Sequence, residues 1–406
     1  MRYDTVTFTN SRGLELAGRI DHAFAPDPIA YAVYAHCFTC SKNLKAIGRI
    51  TDTLARHGIS TLRFDFTGLG ESAGDFSDTN FTTNVDDLVS AASFLAENHG
   101  VPEVLIGHSL GGAVALAAAG SIESIRAVAT IAAPSSPAHL KKHLVHDLGE
   151  IETEGEAEVV LAGRPFTIKQ QLVDDVETID LAGAISSLRR PLLVLHSPID
   201  NTVGVENAAA ILDAAKHPKS FVSLDDTDHL VSDDNDARYV AEVIATWADR
   251  YVSGTLHEHT TAVDGDDSVT VVRVEDGYRA DVISSGFSLV ADEPASVGGS
   301  GEGPSPYDYL MTSLGTCTAM TLRMYADRKE WPLESVTVRL AHRKVHARDC
   351  DDCETPSGYI DHVDREITME GDLNAEQLDR LLQIADRCPV HKTLHSEIVV
   401  RTTLTA

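Results

Sequence analysis

Two groups of residues in this chain have the types and spacing to do chemistry, and they lie on either side of about residue 255. The first is Gly107-His108-Ser109-Leu110-Gly111-Gly112. A serine hydroxyl is a poor nucleophile until a base takes its proton. The Gly-x-Ser-x-Gly spacing suits a strand-to-helix turn so tight that the flanking positions tolerate little side chain, which lifts the hydroxyl clear of a sheet. The second group is a pair of cysteines, Cys317 in an apolar helical stretch and Cys388 just before Pro389-Val390-His391. Their thiolate forms would be the reactive species.

A serine on such a turn needs an acid and a histidine, each just after a later strand and in the order Ser, acid, His. Asp200 follows the apolar run Leu192 to Leu195, and His229 follows Phe221-Val222-Ser223-Leu224. His229 is expected as the base, with Asp200 holding its tautomer and stabilising the imidazolium. Asp225, Asp226 and Asp228 are nearer to His229 in sequence and read as solvated loop. An oxyanion hole needs two backbone N–H groups. Leu110 supplies one; the loop His36-Cys37-Phe38-Thr39 supplies the other, with Phe38 the first choice and Cys37 the second.

The elements that must position these residues are legible as alternating short apolar strands and helical stretches over residues 1–250. Strands are expected at Ala30 to Ala35, Ser60 to Phe66, Val104 to Ile106, Ala127 to Ala132 and Leu192 to Leu195, with helices at 43–57, 84–98 and 110–120. Continuous apolar strands alternating with helices predict a doubly wound α/β fold, its mostly parallel sheet covered on both faces. The pattern breaks between about 135 and 188, where a cap over the carboxyl ends of the strands is expected. Residues 253–268 read as a linker, so the predicted domains are 1–252 and 269–406. The second has an α+β pattern: strands at 269–273 and 278–283, a Gly-rich loop at 298–303, a helix at 307–329, strands at 336–342 and 361–371, a helix at 375–388 and a last strand at 397–403.

Composition limits the partners. The formal net charge of −29 disfavours nucleic acid and anionic membrane surfaces. No run of about 18 apolar residues is present and the amino terminus lacks the apolar block of a signal peptide, so a cytoplasmic location is the default expectation. Six cysteines are too few for a disulfide scaffold in a chain of 406 residues, and they read as core, metal or redox residues. Cys37 and Cys40 form a Cys-x-x-Cys read as a buried, inert pair, with a redox or metal role as the alternative. Cys350 and Cys353 form a second; with His342 and His346 they leave open a zinc site, an accessory thiol pair or a plain loop. No cofactor or metal is expected.

The serine motif, its ordered partners and Arg63-Phe64-Asp65-Phe66-Thr67-Gly68-Leu69-Gly70-Glu71-Ser72 resemble the α/β-hydrolase superfamily over roughly residues 5–250, near its serine-aminopeptidase and short-chain esterase branch. The resemblance implies hydrolysis of an ester, thioester or amide through an acyl-enzyme. Gly315-Thr316-Cys317-Thr318-Ala319-Met320-Thr321 with Cys388-Pro389-Val390-His391 resembles the OsmC family over roughly 260–406. That resemblance implies an α+β domain that reduces organic hydroperoxides, Cys317 being oxidised and Cys388 resolving it with a thiol reductant. It also implies an intertwined homodimer or larger assembly. The chain departs from the family at the Arg and Glu that activate the first cysteine: Tyr307 occupies the Glu position, beside Asp308, and no Arg occurs from 280 to 322. Arg279, Arg323, Lys392 or a residue of another subunit would have to substitute. The expected activity is therefore a carboxylesterase for small or medium acyl esters fused to a thiol peroxidase. The alternative is an esterase whose second domain only dimerises or binds a ligand.

Overall fold

The structure is a computed structural model and describes residues 3–24, 28–38, 40–161, 164–252, 270–274, 277–284, 287–346 and 358–404. It divides into two compact units, one holding residues 1–271 with 283–288 and the other the remainder.

Among the described residues up to Val252, strands and α-helices of the first unit follow in the order β1 (Tyr3–Thr9), β2 (Glu15–Asp21), β3 (Ala30–Ala35), α1 (Lys45–Arg56), β4 (Ile59–Phe64), α2 (Phe81–Asn98), β5 (Pro102–His108), α3 (Leu110–Ala118), β6 (Ala127–Ile131), α4 (Leu148–Glu154), β7 (Glu156–Leu161), β8 (Arg164–Lys169), α5 (Gln170–Thr178), α6 (Leu181–Ser187), β9 (Leu192–His196), α7 (Glu206–Ala214), β10 (Lys219–Ser223) and α8 (Asp234–Ala248). Eight strands form one sheet in the order β1-β2-β4-β3-β5-β6-β9-β10. The first two join antiparallel, and every pairing from β4 to β10 is parallel. The central strands are apolar on both faces because successive side chains point to opposite sides. Val33, Leu105 and Val128 enter one core with residues of α2 and α3. Their neighbours Ala32, Tyr34, Val104, Ile106, Ala129 and Ile131 enter the other, against α1 and α8.

The stretch between β6 and β9, which breaks the sequence pattern, holds the antiparallel hairpin β7–β8 and helices α4 to α6. Phe166 of that hairpin packs on Phe76 at 4.9 Å between ring centroids, and Phe76 on Phe38 at 5.1 Å. The insertion thus reaches the loop after β3, at the carboxyl ends of the strands where an open α/β sheet places its ligands.

The remaining described elements are β11 (Thr270–Val274), β12 (Ala280–Ser284) and β13 (Phe287–Ala291), which the division into units cuts across, and α9 (Pro306–Arg328), β14 (Leu333–His346), β15 (Tyr359–Gly371), α10 (Ala375–Ala385) and α11 (Pro389–Leu394) of the second unit. β11, β12 and β13 form a three-stranded sheet, and β14 pairs with β15 in a long antiparallel ribbon. The buried residues of α9 are Leu314, Thr318, Leu322 and Ala326, a single stripe spaced four apart. Leu322 and Ala326 of that stripe meet Leu333, Leu381, Ile384 and Ala385 in a small core.

Two expectations are corrected. The helix expected through Cys388 ends at Ala385, because Pro389 cannot supply an interior N–H, and a new helix starts after Cys388. The segment 397–403 is not a strand despite its alternation, since no described strand pairs with it; Val399 is 71% and Val400 81% exposed. β13 and the β7–β8 hairpin had no counterpart in the sequence reading. The expected linker 253–268 and the Cys350/Cys353 pair lie outside the described residues.

Candidate active site

Ser109 sits between β5 and α3 with φ 54°, a left-handed conformation uncommon for a residue with a β-carbon. The glycines around it leave no room for side chains. A Cβ on Gly107 would strike Gly111 and Gly112, and one on Gly111 would strike the carbonyls of Ala35 and His36. One on Gly112 would lie 2.6 Å from the Ala133 methyl. These contacts press the first turn of α3 against β5 and against the end of β3.

The three expected partners meet. His229 Nε2 lies 3.0 Å from Ser109 Oγ, and His229 Nδ1 lies 2.7 Å from Asp200 Oδ2. A carboxylate only accepts, so Nδ1 carries the proton and Nε2 is left to receive the hydroxyl's. Asp200 Oδ1 accepts the Thr202 and Val203 N–H groups at 2.8 and 2.9 Å. Burial pushes the Asp200 carboxyl up, but the hydrogen bonds from His229, Val203 and Thr202 outweigh it and hold the group below its ordinary range. Asp225 and Asp228 stay in the surrounding exposed loop. This is the geometry in which an imidazole can draw a proton from a hydroxyl.

Leu110 opens α3, so its N–H is among those a helix leaves without an internal acceptor. Phe38 lies in the turn between Cys37 and Cys40, whose ends join through the Cys40 N–H to Cys37 carbonyl bond at 3.1 Å. The two cysteines, expected as a buried, inert pair, form a disulfide; the turn brings their Cα atoms to 5.3 Å, within reach of one. Just beyond, Lys42 is buried with its ammonium on Asp65 at 2.7 Å and its N–H on the same carboxylate at 2.6 Å. Asp65 also receives the Glu71 N–H at 3.0 Å. One buried carboxylate therefore ties the loop after β3 to the loop after β4, which accounts for the Asp65 to Ser72 motif.

His108 and His36 were not singled out in the sequence reading, yet both are buried beside these groups. Burial, with His229 pushing the same way, lowers His108 to about 4. Burial also lowers His36. Both imidazoles are neutral near neutral pH.

In the second unit both Cys317 and Cys388 are free thiols, the first half-buried and the second buried. Cys388 caps α11, its sulfur accepting the His391 N–H at 3.3 Å. Thr318 of α9 places its hydroxyl 3.6 Å from that sulfur. Arg279 pairs with Asp281 and Glu302, and Arg323 with Asp327. Arg365, which no sequence signal marked, donates to Thr318 Oγ1 at 3.3 Å and so stands one residue from Cys388. Tyr307 stacks on His342 at 4.4 Å. Among the described residues no cluster of three or more metal-ligating side chains occurs, and no helix is long and apolar enough to cross a membrane.

Comparison with known proteins follows the same division. Residues 32–243 match the model of the alpha/beta hydrolase family, and residues 299–403 match that of OsmC-like proteins. The esterase domain of a Rhodothermus marinus protein is 49% identical, aligning 62% of this chain with all of that one at a TM-score of 0.53. Est1E from Butyrivibrio proteoclasticus, solved with ferulic acid, is 21% identical over 61% of this chain and 98% of its own, with a TM-score of 0.53, and shares the fold. The uncharacterized protein YfhR of Salmonella typhimurium is 26% identical over 232 residues, 56% of this chain and 74% of that protein.

Proposed function

Given that this chain belongs to the alpha/beta hydrolase family and carries a carboxyl-terminal OsmC-like domain, we propose that it is a serine carboxylesterase acting on small or medium acyl esters. The hydrogen-bonded chain Ser109–His229–Asp200, at 3.0 and 2.7 Å, carries this reading. His229 takes the Ser109 proton as the oxygen attacks the ester carbonyl. The Leu110 and Phe38 N–H groups receive the oxyanion, and Asp200 steadies the imidazolium. The alcohol leaves with the proton held on His229. A water deprotonated by the same imidazole then releases the acid and frees Ser109.

For the OsmC-like domain we propose reduction of organic hydroperoxides. One thiolate attacks the peroxide oxygen, the O–O bond breaks, the alcohol leaves and the sulfur becomes a sulfenic acid. The other thiol displaces water to form a disulfide, and an external dithiol reduces it. We read the domains as 1–252 and 269–406 joined by 253–268, and the protein as a homodimer. The open apolar side chains Met320 and Met324 on α9, 63% and 65% exposed, support a second copy against that helix.

A second reading has its own observation. The Cys388 sulfur is already engaged, by the His391 N–H at 3.3 Å and the Thr318 hydroxyl at 3.6 Å, which favours a binding or dimerising module over a cysteine pair. The full-length protein with Ser109→Ala or Cys317→Ser, assayed for p-nitrophenyl ester hydrolysis and cumene hydroperoxide consumption, separates them. Loss of ester hydrolysis in the first variant and of peroxide consumption in the second supports both activities. Unchanged ester hydrolysis in Ser109→Ala removes the esterase reading, and unchanged peroxide consumption in Cys317→Ser removes the peroxidase.

A further inference from the structure

Three of the loops at the carboxyl edge of the sheet hold a backbone carbonyl on a buried imidazole. In the loop after β3, His36 Nδ1 lies 2.7 Å from the Cys37 carbonyl. In the loop after β9, His196 Nε2 lies 2.7 Å from the Val203 carbonyl, and the N–H of that same residue binds Asp200. In the loop after β10, His108 Nε2 lies 2.7 Å from the carbonyl of His229. A carbonyl oxygen only accepts, so each of these ring nitrogens carries the hydrogen.

The third contact has a geometry the other two lack. His108 and Ser109 are consecutive, and both reach residue 229. Ser109 meets its ring, and His108 holds its backbone. The base is thus attached at two points to one dipeptide at the end of a central strand. Its loop needs such fastening. Asp225 and Val231 on either side of His229 adopt φ 39° and 54°, and for β-branched Val231 that region is strained. Ser197 holds the start of the loop through the Asp225 carbonyl at 3.1 Å, and His108 holds its centre.

We propose that His108 is a positioning residue for His229, donating its Nε2–H to the His229 carbonyl and so fixing the imidazole over Ser109. This rests on the esterase reading above, because it concerns the same base. His108 never touches substrate; it acts on the placement of the group that does. Proton transfer depends on placement at the ångström scale, and a misplacement of about 1 Å can cost about 100-fold in rate.

The test uses the full-length protein and the side chains that separate donor position from bulk. His108→Gln places an amide N–H where Nε2 was. His108→Asn places it at the Nδ1 position, out of reach of the carbonyl, and His108→Phe keeps a ring without a donor. For p-nitrophenyl butyrate, Gln is expected within about threefold of wild type. Asn and Phe are expected to lose about 10- to 100-fold in kcat with KM within about twofold. Labelling of Ser109 by a fluorophosphonate should slow in the same order. Wild-type kcat in Asn and Phe overturns the proposal, as does a Gln variant as slow as Asn at an unchanged melting temperature. Should Phe not fold, the Gln–Asn difference decides alone. Ester hydrolysis that survives Ser109→Ala would remove the esterase reading instead, whatever His108 does.

Discussion

At the scale of single residues, the role proposed for the Asp200 charge is to hold one tautomer of His229. Asp200→Asn keeps the shape of the side chain but no longer demands a proton on His229 Nδ1. We expect a loss of about 10⁴ in kcat with a small change in KM, measured by steady-state ester hydrolysis. Buried histidines also make the fold sensitive to acid. The pKa of His108 falls from 6.5 in the unfolded chain to about 4 in the folded protein. Between those values the unfolded chain binds a proton that the folded one refuses. Stability is therefore fully present above about pH 6.5 and declines as pH falls toward 4, by about 3 kcal/mol from this residue. Urea melts at pH 7.5 and 4.5 check this, and His108→Gln should flatten the difference. Ser109, Asp200 and His229 were legible in the sequence because each follows an apolar strand in a required order. His108 was not, since its role is set by a carbonyl 121 residues away. Arg365 was not either, because nothing local marks one arginine of a polar strand as the neighbour of Thr318.

At the scale of elements, the sheet was legible where strands are buried on both faces, as in Ala30–Ala35 and Ala127–Ile131. Continuous apolar runs have few other places to go. The hairpin Glu156–Lys169 escaped notice because its paired residues are mixed in polarity and its fold is fixed by what it covers. The alternating segment 397–403 misled for the opposite reason, since alternation shows a capacity to pair and not a partner. Close packing of α3 gives an element-scale prediction. Gly112→Ala puts a methyl 2.6 Å from Ala133, whereas Gly111→Ala forces it into the backbone of the loop that carries Phe38. Gly112→Ala should therefore cost about 1–3 kcal/mol of stability with much of the activity kept. Gly111→Ala should in addition lower kcat, since the proposed oxyanion donor Phe38 moves. Thermal melts beside kcat distinguish the two.

At the scale of the whole molecule, the two units have very different interiors. The first fills both sides of an eight-stranded sheet, and its likeness covers all of a separately solved esterase domain. Residues 1–252 alone are accordingly expected to fold and hydrolyse esters with kcat/KM within about threefold of the full chain, a range of under 1 kcal/mol in barrier. A truncated protein that precipitates or is inert would contradict this. The second unit rests on the few side chains around Leu322 and Leu381, beneath a 23-residue helix that buries a single stripe. If a second copy completes that unit, dilution acts on it as urea would. Its melting point should climb with protein concentration while that of the hydrolase half stands still, and a calorimeter would see two peaks of which only one moves.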